Sequence, residues 1–391
     1  MAASRGADAD PAPVGLLYIR RVNPIVYAIP VFMASILLEA WIARRRGLRA
    51  YDIPDAITSL NFGILSQVAG VFLRVVTFGA YVWVFEHLRI ATLPVDRWWV
   101  WVAALVVYDF IYYWVHRCGH EVNAMWAAHQ VHHSSEWFNL STALRQTSTG
   151  AFLSFPFYLP MAIAGVPPVV FGTVALIDLL YQYWVHTELV RKLGWVDRVF
   201  VTPSNHRVHH GQNDYCIDRN YGGVLIVWDR LFGTFAEERD DEPVAYGIRK
   251  PLASYNPLWG NLNVYVDVLR KSLAERSLGG ALRTWFDPPS GRGAALPHLD
   301  VTTVRRYDTG TPVGVRRYAL VQYALLALAV TWFLAVAPRL EFSLRAACAV
   351  AIVASAVSLG WLLEGKRHAR AFEVARLLGI AGGILLVFPL V

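Results

Sequence analysis

Nine of the twelve histidines fall in a spaced array: His116 and His120 in HRCGH, His129, His132 and His133 in HQVHH, His186 alone, and His206, His209 and His210 in HRVHH. On a helix, residues three and four apart share a face. HRCGH therefore projects its two rings together, and each HxxHH spreads three rings over about 100° of arc, so that each box grips one metal from one side. Eight clustered imidazoles and one outlier exceed the roughly four to six ligands of a single ion and suit two ions that share a bridging water or oxygen. A lone HxxxH is commonplace at a surface or core edge, but HxxHH twice within about 80 residues, beside an HxxxH, is not. His87, His298 and His368 stand alone and read as solvated or interfacial side chains.

Zinc hydrolases pair two or three His with a carboxylate and a general-base Glu, as in HExxH, which this chain lacks. An all-imidazole metal pair beside lipid suits iron and O2 instead, because neutral nitrogen ligands leave positions open for oxygen while a dry channel admits an alkyl chain. Attack on an unactivated C–H bond is the chemistry implied. Nitrogen ligands alone would also hold zinc, so iron is inferred from that chemistry. No Rossmann fingerprint and no heme-attachment motif is present, so electrons must come from a separate donor.

The elements that must position these residues are membrane spans. Hydrophobic residues make up 55% of the chain and charged ones 17%, with fifteen Trp, eighteen Tyr and a mean hydropathy of +0.37, which marks a polytopic membrane protein with aromatic belts. The net charge of +7 fits cytoplasmic loops and anionic lipid headgroups and needs no nucleic acid. Apolar stretches of spanning or near-spanning length occur at 25–42, 60–86, 98–115, 151–165 and 166–185, and again at 318–337, 342–363 and 373–391. Residues 187–317 contain no such run and read as a membrane-surface segment. Arg44, Arg45, Arg46 and Arg49, then Arg316 and Arg317, then Lys366, Arg367 and Arg370 place their loops in the cytoplasm, and every histidine box with them; Arg20 and Arg21 argue the other way. The polar start reads as a disordered tail with no cleavable signal, so the first span serves as the targeting signal. Cys118, Cys216 and Cys348 form no CxxC pair and suggest neither a disulfide nor a Cys-ligated zinc.

Two carboxylates lie within the spans. Asp109 precedes His116 by seven residues and Asp178 precedes His186 by eight. Each is about 11 Å deeper on nearly the same helix face, too far to bond its own helix's histidine. A buried charge in a span needs a partner. That partner is either a neighbouring Tyr or Trp, in a structural hydrogen bond, or an imidazole on another helix whose tautomer the carboxylate fixes.

HRCGH, HQVHH and HRVHH, with NYGGVLIVWDRLFGTF at 220–235, resemble the fatty acid hydroxylase and sterol desaturase superfamily of membrane di-iron enzymes. Within it, HEVNAMWAAHQVHHSSEWFNLSTALRQ at 120–146, YQYWVHTE at 181–188 and TPSNHRVHHGQNDYCIDRNYGG at 202–223 resemble the tetrahydrobiopterin-dependent branch that cleaves ether lipids; the likeness covers roughly 15–265. The resemblance implies that all nine histidines of the array are iron ligands and that Glu121, beside the first box, is functionally important. Asn205 stands where relatives carry a further histidine. The implied reaction is hydroxylation of the carbon next to the ether oxygen of an alkylglycerol, with O2 and reduced pterin, giving a hemiacetal that collapses to fatty aldehyde and glycerol. Trp137, Phe138 and Tyr215 are the candidate pterin-contacting aromatics.

Two alternatives stay open: a sterol, carotenoid or fatty acyl hydroxylase or desaturase served by a ferredoxin or cytochrome, and, more remotely, a metal- or heme-carrying transport or binding protein. The expected fold is all-α, a polytopic helical bundle capped on its cytoplasmic side by a histidine-rich helical layer holding the metal pair. Residues 1–20 would be the tail, 21–317 the hydroxylase domain, and 318–391 a three-span bundle appended to it.

Overall fold

The computed structural model describes residues 25–291 and 296–387; the expected tail, with Arg20 and Arg21, lies outside them. Its helices are α1 (Ile25–Arg45), α2 (Ile53–Leu88), α3 (Trp98–Glu121), α4 (Asn123–His133), α5 (Leu140–Ala143), α6 (Gly150–Ser154), α7 (Leu159–Ile163), α8 (Pro168–Trp184), α9 (Pro203–His209), α10 (Val227–Phe232), α11 (Pro257–Ala274), α12 (Leu278–Thr284), α13 (Val313–Val336), α14 (Phe342–Leu363) and α15 (Ala369–Val387). Extended pairing among the described residues is confined to two isolated bridges, Phe200 with Leu225 and Gly211 with Tyr246. The protein is all-helical, as expected.

Among the described residues, five helical segments are long and apolar enough to cross a membrane: α1, α2, α3, Val313–Arg339 and α14. The other three expected spans differ for local reasons. Pro156 and Pro160 break 150–163 into α6, a 3-10 turn (Phe155–Tyr158) and α7. Helix α8 has only 17 residues, and Pro167 and Pro168 fix its start. The α6–α8 hairpin nevertheless reaches the far end of the bundle, where Ile90 and Leu93, between α2 and α3, donate to the carbonyls of Ile163 (2.9 Å) and Gly165 (3.0 Å). Helix α15 carries the Glu373–Arg376 ion pair, whose carboxylate also accepts from Tyr318 and Ser358.

Helices α13 and α14 pack against the N-terminal spans. Leu60 and Leu65 of α2, Leu326 and Val330 of α13, and Ile352 and Leu359 of α14 share one buried core with Ile36 of α1. The sequence placed a boundary at 318 because the polar segment ends there; packing crosses it. A second core joins α2, α3, α7 and α8. The end of α14 also holds the cap, since Glu364 accepts from the Tyr255 amide at 2.6 Å and the Ser254 hydroxyl at 2.5 Å.

Candidate metal centre

The array is assembled from four places on one side of the bundle. The last two turns of α3 supply His116 and His120, α4 continues after a break at Val122 (φ −124°) with the second box, the loop after α8 supplies His186, and α9 and its C-cap carry the third box. Thr202 and Asn205 start α9 with a reciprocal capping box, and Pro203 occupies its first turn.

The nitrogens form two groups, each with its atoms within 4.8 Å: His116, His120, His129, His133 and His209 in one, His132, His186, His206 and His210 in the other. The boxes therefore do not hold one metal each, as their spacing suggested. In both HxxHH helices the i, i+4 pair joins one group and the intervening histidine crosses to the other. The first box stays in one group.

The geometry fits metal ions. Metal–nitrogen bonds of about 2.1 Å at right angles set neighbouring nitrogens about 3.0 Å apart, against about 3.4 Å for a tetrahedron. The Nε2 atoms of His116 and His129 are 3.0 Å apart, those of His129 and His133 3.0 Å, those of His132 and His186 3.1 Å, and those of His186 and His206 3.0 Å. Tautomers sharpen the point. His132 donates Nδ1–H to the Arg145 carbonyl (3.0 Å) and His186 donates to that of Gln182 (2.8 Å), so both facing Nε2 atoms carry lone pairs and need a cation between them. His116 donates likewise to Tyr221 (2.7 Å) and His209 to Arg219 (2.9 Å). The Nε2 atoms of His120 and His209 are buried with no protein partner. Burial pushes His132 down to about 4 and holds His129, His133, His206, His209 and His210 well below the usual imidazole range, which keeps those lone pairs free at neutral pH.

Below the histidines an apolar cavity of about 280 Å³ runs between α1, α2, α3, α8 and α13. Its wall includes His129, which belongs to one nitrogen group, and His132 and His186, which belong to the other.

Residues 101–234 match the fatty acid hydroxylase family model. The chain is 38% identical to human alkylglycerol monooxygenase over 363 residues, 90% of this chain and 80% of that one. The Danio rerio enzyme is 38% identical over 362 residues (89% and 79%), and the Xenopus tropicalis enzyme 38% over 317 (79% and 69%). The chain belongs to the alkylglycerol monooxygenase family. No solved structure matches it significantly.

The other residues singled out in this family member's sequence take varied places. Asp109 accepts from the amides of Val224 (2.7 Å) and Leu225 (3.1 Å) and from the Trp228 indole (2.8 Å), not from an imidazole. It thus clamps the 221–225 loop, whose Tyr221 carbonyl orients His116. Asp178 accepts from Gln182 at 2.7 Å through Oδ2, and its buried Oδ1 has no hydrogen-bond partner. Gly223 fits against both: a Cβ there would lie 2.8 Å from Asp178 Oδ1 and 3.0 Å from Asp109 Oδ1. Asn205 is a capping residue, its oxygen accepting from the Thr202 amide at 3.1 Å, and is outside both nitrogen groups. Glu121 faces outward in an i, i+4 pair with Arg117 at 2.9 Å.

The three aromatics do not form a common pocket. Phe138 is buried against His186, His210 and Tyr246, stacking on Tyr246 at 4.9 Å. Arg306 covers one face of Trp137 at 3.9 Å and Arg239 one face of Tyr215 at 4.4 Å. Trp137 borders a space of about 20 Å³, the size of one water.

Sequence reasoning missed Arg145. Its Nε donates to the Val131 carbonyl at 3.0 Å, its Nη1 lies 3.4 Å from Asp55, and its carbonyl receives His132. It missed Arg207 too, whose fork holds Glu238 at 2.6 and 2.7 Å while Nη1 donates to the carbonyls of Thr187 and Val190, fixing the loop after His186. Only their charge inside quoted box runs hinted at either.

Proposed function

We propose that the two nitrogen groups each hold one iron and that the protein hydroxylates the carbon beside the ether oxygen of an alkylglycerol, on the cytoplasmic side of the membrane. The observation that carries this reading is the cavity: a single apolar chamber ends on ligands of both groups, so an alkyl chain lying in it presents one carbon to both. The ions supply the activation of O2 that an unactivated C–H bond demands.

The chain's own residues do the rest. Leu60, Ile64, Val330 and Leu334 exclude water from the alkyl tail, and backbone carbonyls hold the imidazoles in one tautomer. Tyr112 donates to Gln182 at 2.6 Å and Gln182 to Asp178 Oδ2, which makes this wall of the cavity polar and leaves Asp178 Oδ1 without a partner. One oxygen atom enters the C–H bond, and reduced pterin supplies two electrons for the other to become water. The resulting hemiacetal breaks its C–O bond to give fatty aldehyde and glycerol.

The test is an aerobic assay of purified, iron-loaded protein in detergent with an alkylglycerol and reduced tetrahydrobiopterin, scoring fatty aldehyde, with His132→Ala as the blank. Aldehyde from the parent alone supports the proposal. Aldehyde only when ferredoxin or a cytochrome replaces the pterin would overturn the donor, and no aldehyde from protein holding two irons would overturn the substrate.

A further inference from the structure

Helix α11 buries one face and leaves a second apolar face uncovered. Its inner residues Gly260 and Asn261 bond to Gln130 of α4 (2.8 Å) and to the Ser148 amide (3.0 Å), and Tyr265 bonds to Thr149 at 2.8 Å. At 100° per residue, Leu258, Trp259, Leu262, Leu269 and Leu273 fall within about 100° of arc on another side. All five are exposed. Helix α12 extends the strip with Leu278 and Leu282, and Phe286 follows just past its C-cap, all three exposed and about four residues apart. Eight large apolar side chains in one strip exceed the scattered exposure that needs no explanation.

The level of this strip identifies what covers it. Gly260 packs on Phe62 so closely that a Cβ would lie 2.2 Å from the ring. Phe62 lies nine residues, about 14 Å, along the spanning helix α2 from its start at Ile53. Thr149 immediately precedes the hairpin that descends through the bundle. The α11–α12 strip is thus beside the cap-side ends of the spans and continuous with their lipid-facing surface. Arg270, Arg276 and Arg283 are exposed on the same two helices and their link, the arrangement that suits anionic headgroups.

We infer that α11 and α12 lie in the plane of the cap-side leaflet as an interfacial hairpin, with Leu262, Leu269, Leu273, Leu278, Leu282 and Phe286 immersed in the upper acyl region. The flank of α11 next to this strip holds the 146–149 loop through Asn261 and Tyr265, and Gln146 and Thr147 of that loop line the cavity, so one element contacts both bilayer and cavity wall.

The experiment uses the unaltered protein in phosphatidylcholine and phosphatidylglycerol nanodiscs that contain a phosphatidylcholine with a diazirine near the glycerol end of one acyl chain. After photolysis, peptides from 257–286 should carry lipid adducts at a level comparable with exposed Leu37 and Leu38 of α1, while the exposed cap segment 237–242 carries none. Leu269→Asp combined with Leu273→Asp should lower the 257–286 adducts several-fold and leave those on α1 unchanged. Labelling of 257–286 no greater than that of 237–242 would overturn the inference. So would cross-linking of two copies through 257–286 in place of lipid adducts, since the strip would then be a protein interface.

Discussion

His132 and His186 present lone pairs to each other at 3.1 Å because both Nδ1–H groups are committed to carbonyls. That arrangement is repulsive without a cation and favourable with one, so metal binding is coupled to stability. Chelation should lower the unfolding temperature of the detergent-solubilised protein, and adding back ferrous iron should restore it; an unchanged transition would mean the histidines are held by packing alone. The same residue tests the division into two groups. His132→Ala should halve the metal measured by elemental mass spectrometry and spare the five-histidine group, whereas complete loss would show that the two fill as a unit. Arg145 is the supporting residue most exposed to mutation. Arg145→Met strands Asp55 and frees the Val131 carbonyl, and breaking such a buried pair costs roughly 3–5 kcal/mol. Arg145→Lys should recover little, because an ammonium lacks the fork that reaches Val131 and Ser59 together. Thermal unfolding of the two variants against the parent decides it.

At the scale of elements, the convergence of the histidines was legible and their partition into two groups was not. HxxHH announces three imidazoles on one side of a helix, and all nine converge as the array suggested. Which ring faces which ion depends on how α4 and α9 cross, and no local pattern encodes that. Each helix gives its i, i+4 pair to one group and its middle histidine to the other, in opposite senses. The carboxylates were legible as buried groups needing partners, but the partner of Asp109 is a loop over 110 residues later in the chain. The glycine of that loop shows how tightly it is held. Gly223→Ala would press a methyl group against Asp178, Asp109 and Tyr112, displacing the segment that carries the Tyr221 carbonyl. Iron in the five-histidine group should fall while the group containing His132 keeps its ion; elemental analysis combined with iron spectroscopy distinguishes the two, and equal loss from both would refute the loop's selective role.

For the whole molecule, the C-terminal helix α13 becomes part of the cavity wall. Tyr323, Ala327, Val330, Thr331 and Leu334 line the cavity along α13, eleven residues or about 16 Å of helix, opposite Ala175 and Leu179 of α8. The sequence could not show this, because a polar segment of over a hundred residues separates α13 from the spans it joins. Cavity length is then set jointly by the two halves of the chain. Ala327 is the smallest of the α13 residues there, so Ala327→Phe inserts a ring across the bore without touching a histidine. Excluding two methylenes from the chamber forfeits about 1.6 kcal/mol of burial, roughly fifteenfold in kcat/KM. Long-chain alkylglycerols should lose at least that much while substrates too short to reach α13 keep the parent rate and the metal content is unchanged. A uniform loss across chain lengths would mean that the alkyl tail does not run along α13, and that the C-terminal helices support the bundle without shaping its substrate.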